Sequence, residues 1–132
     1  MELTVETSQK DQIVDITDEL NKFLKKNALE NGLLSVFVKH TTCALTTADL
    51  DPGTDADFLK FLRKISPSIP YNHPHNPSHT PDHLLSSIIG PSVMIPFKNG
   101  EIELGTWQRV ILVELNGPKN RKIEVSPVPV SR

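Results

Sequence analysis

From Ser92 to the end the chain is a succession of short apolar runs cut by turn residues, and this feature most narrows its possible folds. "SVMIPF" and "GEIEL" flank Asn99–Gly100, the strongest short-range signal for a two-residue hairpin, because both central residues must take positive φ. "RVILVELNG" and "KIEVSPV" repeat the pattern around Gly117–Pro118, and this reads as a second hairpin. Runs joined by turns this short pair antiparallel, since a parallel pair needs a crossover of a dozen residues or more. Upstream, "LTVETS" alternates Leu3, Val5 and Thr7 with polar neighbours, and "QIVDI" is a second short strand. "LLSVFVKH" is a buried strand ending at His40, and "CALTTAD" reads as its neighbour through a turn at Thr41–Thr42.

Three helices interrupt the strands. The first takes Thr17 as its cap, Asp18 and Glu19 at the positive end of the dipole, and Gly32 as its stop. Its apolar positions Leu20, Phe23, Leu24 and Ala28 share one face. The second follows "DPGT", with Thr54 as cap and Phe58, Leu59, Leu62 and Ile65 as the inward stripe. The third is "PDHLLSSIIG", with Thr80 as cap, Pro81 at the tolerated first position and Gly90 at the end. With no internal repeat, the 132 residues are expected to form one α+β domain, 1–132, a compact and mostly antiparallel β-sandwich or sheet with two to three helices.

Composition excludes several classes. A formal net charge of −2 leaves no basic footprint for nucleic acid, and 5% aromatic residues are too few for a base-stacking platform. No apolar run nears the roughly 20 residues a bilayer demands, so no membrane association is expected. A single cysteine, Cys43, rules out an intrachain disulfide framework and suits a reducing, cytoplasmic location.

Candidate chemistry concentrates in a few places. Four of the five histidines lie in "YNHPHNPSHTPDH" among prolines. Imidazole is a ready zinc ligand, yet His73, His75 and His79 also suit a solvent-facing, proline-braced loop. His83 differs, falling in the first turn of a helix, where free backbone N–H groups attract anions. His40 sits at a strand end ahead of two hydroxyls, either presented to a ligand or bonded to a carbonyl at the sheet margin. "DLDPGTDAD" fails the calcium-loop register, since its sixth and twelfth positions counted from Asp49 are Thr54 and Lys60. Asp55 and Asp57 fit a helix start, and the roles of Asp49 and Asp51 stay open. Trp107 and Gln108 follow Gly105–Thr106, a bend-permitting pair, ahead of "VILV". Glu114 interrupts that apolar strand. A carboxylate buried there must pair with a cation or a metal, or be raised in pKa, unless it points outward.

The blocks "VFVKHTTCALTTADLDP" and "HLLSSIIGPSVMIPFKNGEIELGTWQRVILVELNGP" resemble the YjbQ family, also called secondary thiamine-phosphate synthases, and the resemblance spans nearly the whole chain. It implies a homotrimeric α+β sandwich that joins a pyrimidine diphosphate to a thiazole phosphate and releases pyrophosphate. It also carries site residues onto this chain. His40, His83 and Glu114 become catalytic candidates, with Thr41, Thr42, Ser87, Trp107 and Gln108 as candidates for binding substrate phosphate. His40 and His83, with His79 as a further candidate, would hold a divalent ion such as zinc or magnesium. Two departures are visible. Thr47–Ala48 replaces a usual Asn–Glu pair, and Pro81 stands where many relatives have a second histidine. The expected partner is a small phosphorylated metabolite. Two other functions fit the same residues, namely a non-catalytic trimer binding a metal or phosphometabolite, and a metal-dependent hydrolase using His40, His83 and Glu114.

Overall fold

The computed structural model describes residues 1–74 and 76–130, and His75 lies outside the described residues. Among the described residues eight strands run in chain order: β1 (Glu2–Glu6), β2 (Gln12–Asp15), β3 (Gly32–Val38), β4 (Cys43–Ala48), β5 (Ser92–Lys98), β6 (Glu101–Ile102), β7 (Arg109–Glu114) and β8 (Asn120–Pro129). The helices are α1 (Thr17–Lys26), α2 (Thr54–Ile65) and α3 (Thr80–Ile89), the last preceded by a 3-10 turn, Pro77–His79. One sheet has the order β1-β8-β3-β5-β6 and the other β2-β7-β4, with every pairing antiparallel. The fold is an α+β sandwich, as the sequence pattern requires.

Side-chain alternation explains the layering. Leu34, Val36 and Val38 of β3 meet Val110 and Leu112 of β7 in the space between the sheets, together with Ile123 and Val125 of β8 and Leu20 and Leu24 of α1. Ile111 and Val113 point the other way and pack with Leu62 of α2 and Leu85 of α3. Strand β7 is therefore covered on both faces, and this is why it reads as a continuous apolar run. The outer face of the five-stranded sheet keeps Leu33, Phe37, Met94 and Val128 exposed.

Two connections differ from the sequence reading. Strand β4 is not the neighbour of β3, which pairs with β5 and β8, while β4 pairs with β7. Likewise β7 and β8 form no hairpin and lie in opposite sheets. The residues at Thr41–Thr42 and Gly117–Pro118 carry the chain across the sandwich, and a short turn-like loop looks the same in sequence whichever sheet it leads to. The Asn99–Gly100 hairpin is as expected, with φ of 54° and 78° and Lys98 opposite Glu101.

Helix ends also depart from the expected caps. Thr17 spends its hydroxyl on the Val110 N–H at 2.9 Å, and Asp15 Oδ1 accepts the Thr17 N–H at 3.0 Å instead. Gly53 and His79, not Thr54 and Thr80, occupy the N-cap positions of α2 and α3. Gly32 does not end α1, which stops at Lys26. It lies in β3, where an added Cβ would come within 2.3 Å of the Val128 carbonyl oxygen, so its role is close strand approach.

Candidate functional site

The far end of the sandwich, where β3 crosses to β4 and β7 gives way to β8, contains a buried ion pair. Glu114 and Arg121 both continue inward-facing stripes, and they are 0% and 2% exposed. Arg121 Nε donates to Glu114 Oε2 at 2.8 Å, and Nη2 donates to Glu114 Oε1, Thr42 Oγ1 and the Thr42 carbonyl. The Thr7 hydroxyl donates to Oε2 at 2.7 Å and the Asn116 N–H to Oε1 at 3.0 Å. Burial pushes the Glu114 carboxyl up, but these bonds and the Arg121 charge outweigh it and hold the group below the ordinary range. Glu114 is thus the buried carboxylate that finds a cation. Both its oxygens are committed within the chain.

His40 lies just past β3, against β8. Its Nε2 accepts the Lys122 backbone N–H at 2.9 Å. The bond of its Nε2 is therefore to an amide N–H and not to a carbonyl at the sheet margin. A nitrogen that accepts carries no proton, so the neutral ring has its proton on Nδ1. Partial burial, then the charge of Arg121, lowers the imidazole pKa, with Lys122 adding to this and Glu114 opposing it. His40 is a neutral Nδ1–H donor at pH 7. Thr41 beside it is exposed, and Thr42 is buried under Arg121. Burial pushes the neighbouring Cys43 thiol up to about 11, so it is no thiolate.

His83 sits on the first turn of α3, and its ring stacks on that of His73 with centroids 5.0 Å apart. Ser87 donates its hydroxyl to the His83 carbonyl, within the same helix. His79 Nε2 lies 3.4 Å from Asn76 Nδ2. The helix start is locked by Asp82, 1% exposed. Asp82 accepts Arg63 Nη1 at 2.7 Å and Lys10 Nζ at 3.4 Å. Arg63 also grips Asp11, and both Arg63 and Lys10 donate to the Leu115 carbonyl. The side chain of Glu114 thus anchors the His40 crossover, while the next residue's carbonyl anchors the cations that hold the His83 helix.

Trp107 and Gln108 stand apart from both histidines. Trp107 is 69% exposed, between β6 and β7, and borders a shallow cleft with Asp49, Asp51 and Arg109. Gln108 Oε1 accepts the Gly105 N–H at 2.7 Å, and Nε2 donates weakly to Thr47, so the amide closes its own loop. Asp51 N–H donates to Asp49 Oδ1, a turn bond, and Asp55 and Asp57 lie in the first turn of α2. Among the described residues no three His, Cys, Asp or Glu side chains are placed to hold a metal ion. With His40 Nε2 and Glu114 both engaged, a His40–His83–Glu114 metal centre does not fit this chain as folded. The sequence reading missed Arg121, Asp82 and Arg63. Arg121 had a signal, since it shares the inward alternation of Ile123 and Val125.

A two-sheet antiparallel sandwich with helices on the smaller sheet, carrying a histidine at the crossover, defines a small α+β class of protein. Over residues 1–129 the chain matches the family described as UPF0047 protein YjbQ-like, and it belongs to that family. A UPF0047 protein of Archaeoglobus fulgidus is 36% identical over 126 residues, covering 95% of this chain and 98% of the archaeal protein. The UPF0047 protein YugU of Bacillus subtilis is 32% identical, covering 90% and 91%. A crystal structure of a YbjQ-like protein of unknown function from Sulfolobus solfataricus P2 superposes with a TM-score of 0.90 at 30% identity, covering 98% and 96%. An uncharacterised YjbQ/UPF0047 protein from Clostridium acetobutylicum gives 0.88 at 35%, covering 97% and 99%.

Proposed function

We propose that this protein is a phosphometabolite enzyme of the thiamine-phosphate synthase type, joining a pyrimidine diphosphate to a thiazole phosphate and releasing pyrophosphate. The observation that supports it is His40, which Lys122 holds as a neutral Nδ1–H donor beside the exposed Thr41. A donor of this kind suits a phosphate oxygen. In the reaction the thiazole nitrogen forms the new C–N bond as the pyrimidine methylene C–O bond breaks, and the bonding pair leaves with pyrophosphate. Such a step needs little covalent help. Stabilising the charge that grows on the leaving group is the main task, and His40 and Thr41, with His83 on the neighbouring helix, are the groups proposed for it. No divalent cation is placed on a resident protein site in this reading, and the protein donors bind the diphosphate whether or not it carries one.

The proposal includes assembly as a homotrimer in the cytoplasm. Phe37 and Met94 on the outer sheet face, and Phe61, Ile65, Leu84 and Ile88 on α2 and α3, are exposed large apolar side chains, and patches of this kind mark interaction surfaces. Among the described residues no helix is long and apolar enough to cross a membrane. Light scattering at micromolar concentration is expected to give three times the 14.7 kDa chain mass, and a monomer would remove the subunit interface from this account. For the site itself, calorimetry of tag-free protein with inorganic pyrophosphate is expected to show binding that survives a chelator. Absence of binding, or its loss with the chelator, would defeat the direct-donor reading.

A further inference from the structure

We propose that Arg121 is a second anion-binding residue of the His40 site, using its Nη1 group to hold a terminal phosphoryl oxygen alongside the His40 Nδ1–H. The inference rests on the phosphate reading of that site and adds the residue that gives it a directed cationic group. A guanidinium has five N–H donors in a fixed fork. In Arg121 the Nε proton and both Nη2 protons are taken by Glu114 and Thr42, and no bond among the described residues engages Nη1. Burying an unpartnered donor costs free energy. Nη1 is not sealed in, however, because Thr80 Oγ1 is the one fully enclosed side-chain atom without a partner among the described residues. A guanidinium 98% removed from solvent therefore keeps one outlet.

We place this outlet beside His40, whose imidazole feels the Arg121 charge. The β3–β8 register ends with Val38 opposite Ile123; carried two residues further it would set residue 40 alongside residue 121, and the Lys122 amide holds the imidazole at that edge. Thr42 ties the guanidinium to the same crossover. Glu114 cancels the arginine's net charge but not the direction of its remaining N–H bonds. An oxygen arriving there meets two preset donors with no side chain left to order, an arrangement suited to a phosphoryl group of a diphosphate or of inorganic pyrophosphate.

The test uses full-length wild-type protein labelled with 15N at arginine and histidine. Adding inorganic pyrophosphate is expected to shift the Arg121 Nη1 and His40 Nδ1 resonances and to leave Arg121 Nε, bound to Glu114, in place. In parallel, Arg121→Lys, which keeps a cation for Glu114 but loses the second arm, is expected to bind pyrophosphate about tenfold or more weakly, the scale of a charge-assisted hydrogen bond. If pyrophosphate binds while the Arg121 signals stay unmoved, or if folded Arg121→Lys binds as well as wild type, the inference falls and the phosphate reading survives on other residues. If wild type binds no pyrophosphate, both fall. Should Arg121→Lys fail to fold, the wild-type spectra decide.

Discussion

Arg121→Met is expected to destabilise the protein by about 3–5 kcal/mol, the usual cost of removing one partner of a buried ion pair. For a chain of this size that lowers the melting temperature by roughly 10–20 °C, which differential scanning calorimetry resolves easily. The cause is Glu114, left at 0% exposure with, among the described residues, the Thr7 hydroxyl and the Asn116 N–H against its charge. Replacing both partners, as in Glu114→Leu with Arg121→Met, is expected to recover most of the loss, because the desolvation of two ions is then no longer required. The pH dependence separates these cases. The folded pKa of Glu114 lies below its ordinary value of 4.5, so its contribution is fully present above that value and is lost as pH falls through it toward the folded pKa. Wild type should lose stability across that acid window, and the double variant should lose less there. Equal acid sensitivity in the two proteins would mean that Glu114 is not held as an ion.

Most of the fold could be read from alternation and turn chemistry, and the errors share one cause. Local signals specify a strand or a turn but not the sheet the next strand enters. Gly117 illustrates this, since an added Cβ would lie 2.1 Å from the Gln9 carbonyl and 2.8 Å from Thr7 Oγ1. That glycine allows a close tertiary approach where β7 leaves its sheet, a demand invisible in the "NGP" motif. Site legibility divides in the same way. His40 and His83 could be singled out because strand ends and helix starts present polar groups. Glu114 was visible as a charge in an apolar strand, but its partner comes from the opposite sheet. Arg121 was therefore hidden until β8 was placed. Trp107, the most conspicuous residue of its segment, proves to be an exposed loop residue whose neighbour Gln108 stabilises the turn.

His40→Ala is expected to have the largest effect on function, lowering turnover by about a hundredfold or more, within the range seen when a preset donor to developing charge is removed. The substitution should cost little stability, since His40 is only partly buried and the Lys122 N–H it releases can bond water. His83→Ala should also lower turnover sharply, though by less, while the fold persists, with α3 still held by Asp82, Arg63 and Lys10. His73→Ala should retain most activity, because His73 meets His83 by stacking on its ring. Because the folded pKa of His40 lies below its ordinary 6.5, the neutral donor persists as pH falls through 6.5. Activity should therefore hold to a more acidic pH than an unperturbed imidazole would allow.

The measurement that bears most directly on the central claim is pyrophosphate release, followed by 31P NMR, from the pyrimidine diphosphate and thiazole phosphate mixed with wild type and with His40→Ala. Release is expected to require both substrates together, to reach one pyrophosphate per condensation product, and to be lost in His40→Ala folded to the same melting temperature. Absence of release by wild type, alongside intact pyrophosphate binding, would identify a binding protein and not an enzyme. Release undiminished in His40→Ala would contradict the placement of the site at the β3–β4 crossover.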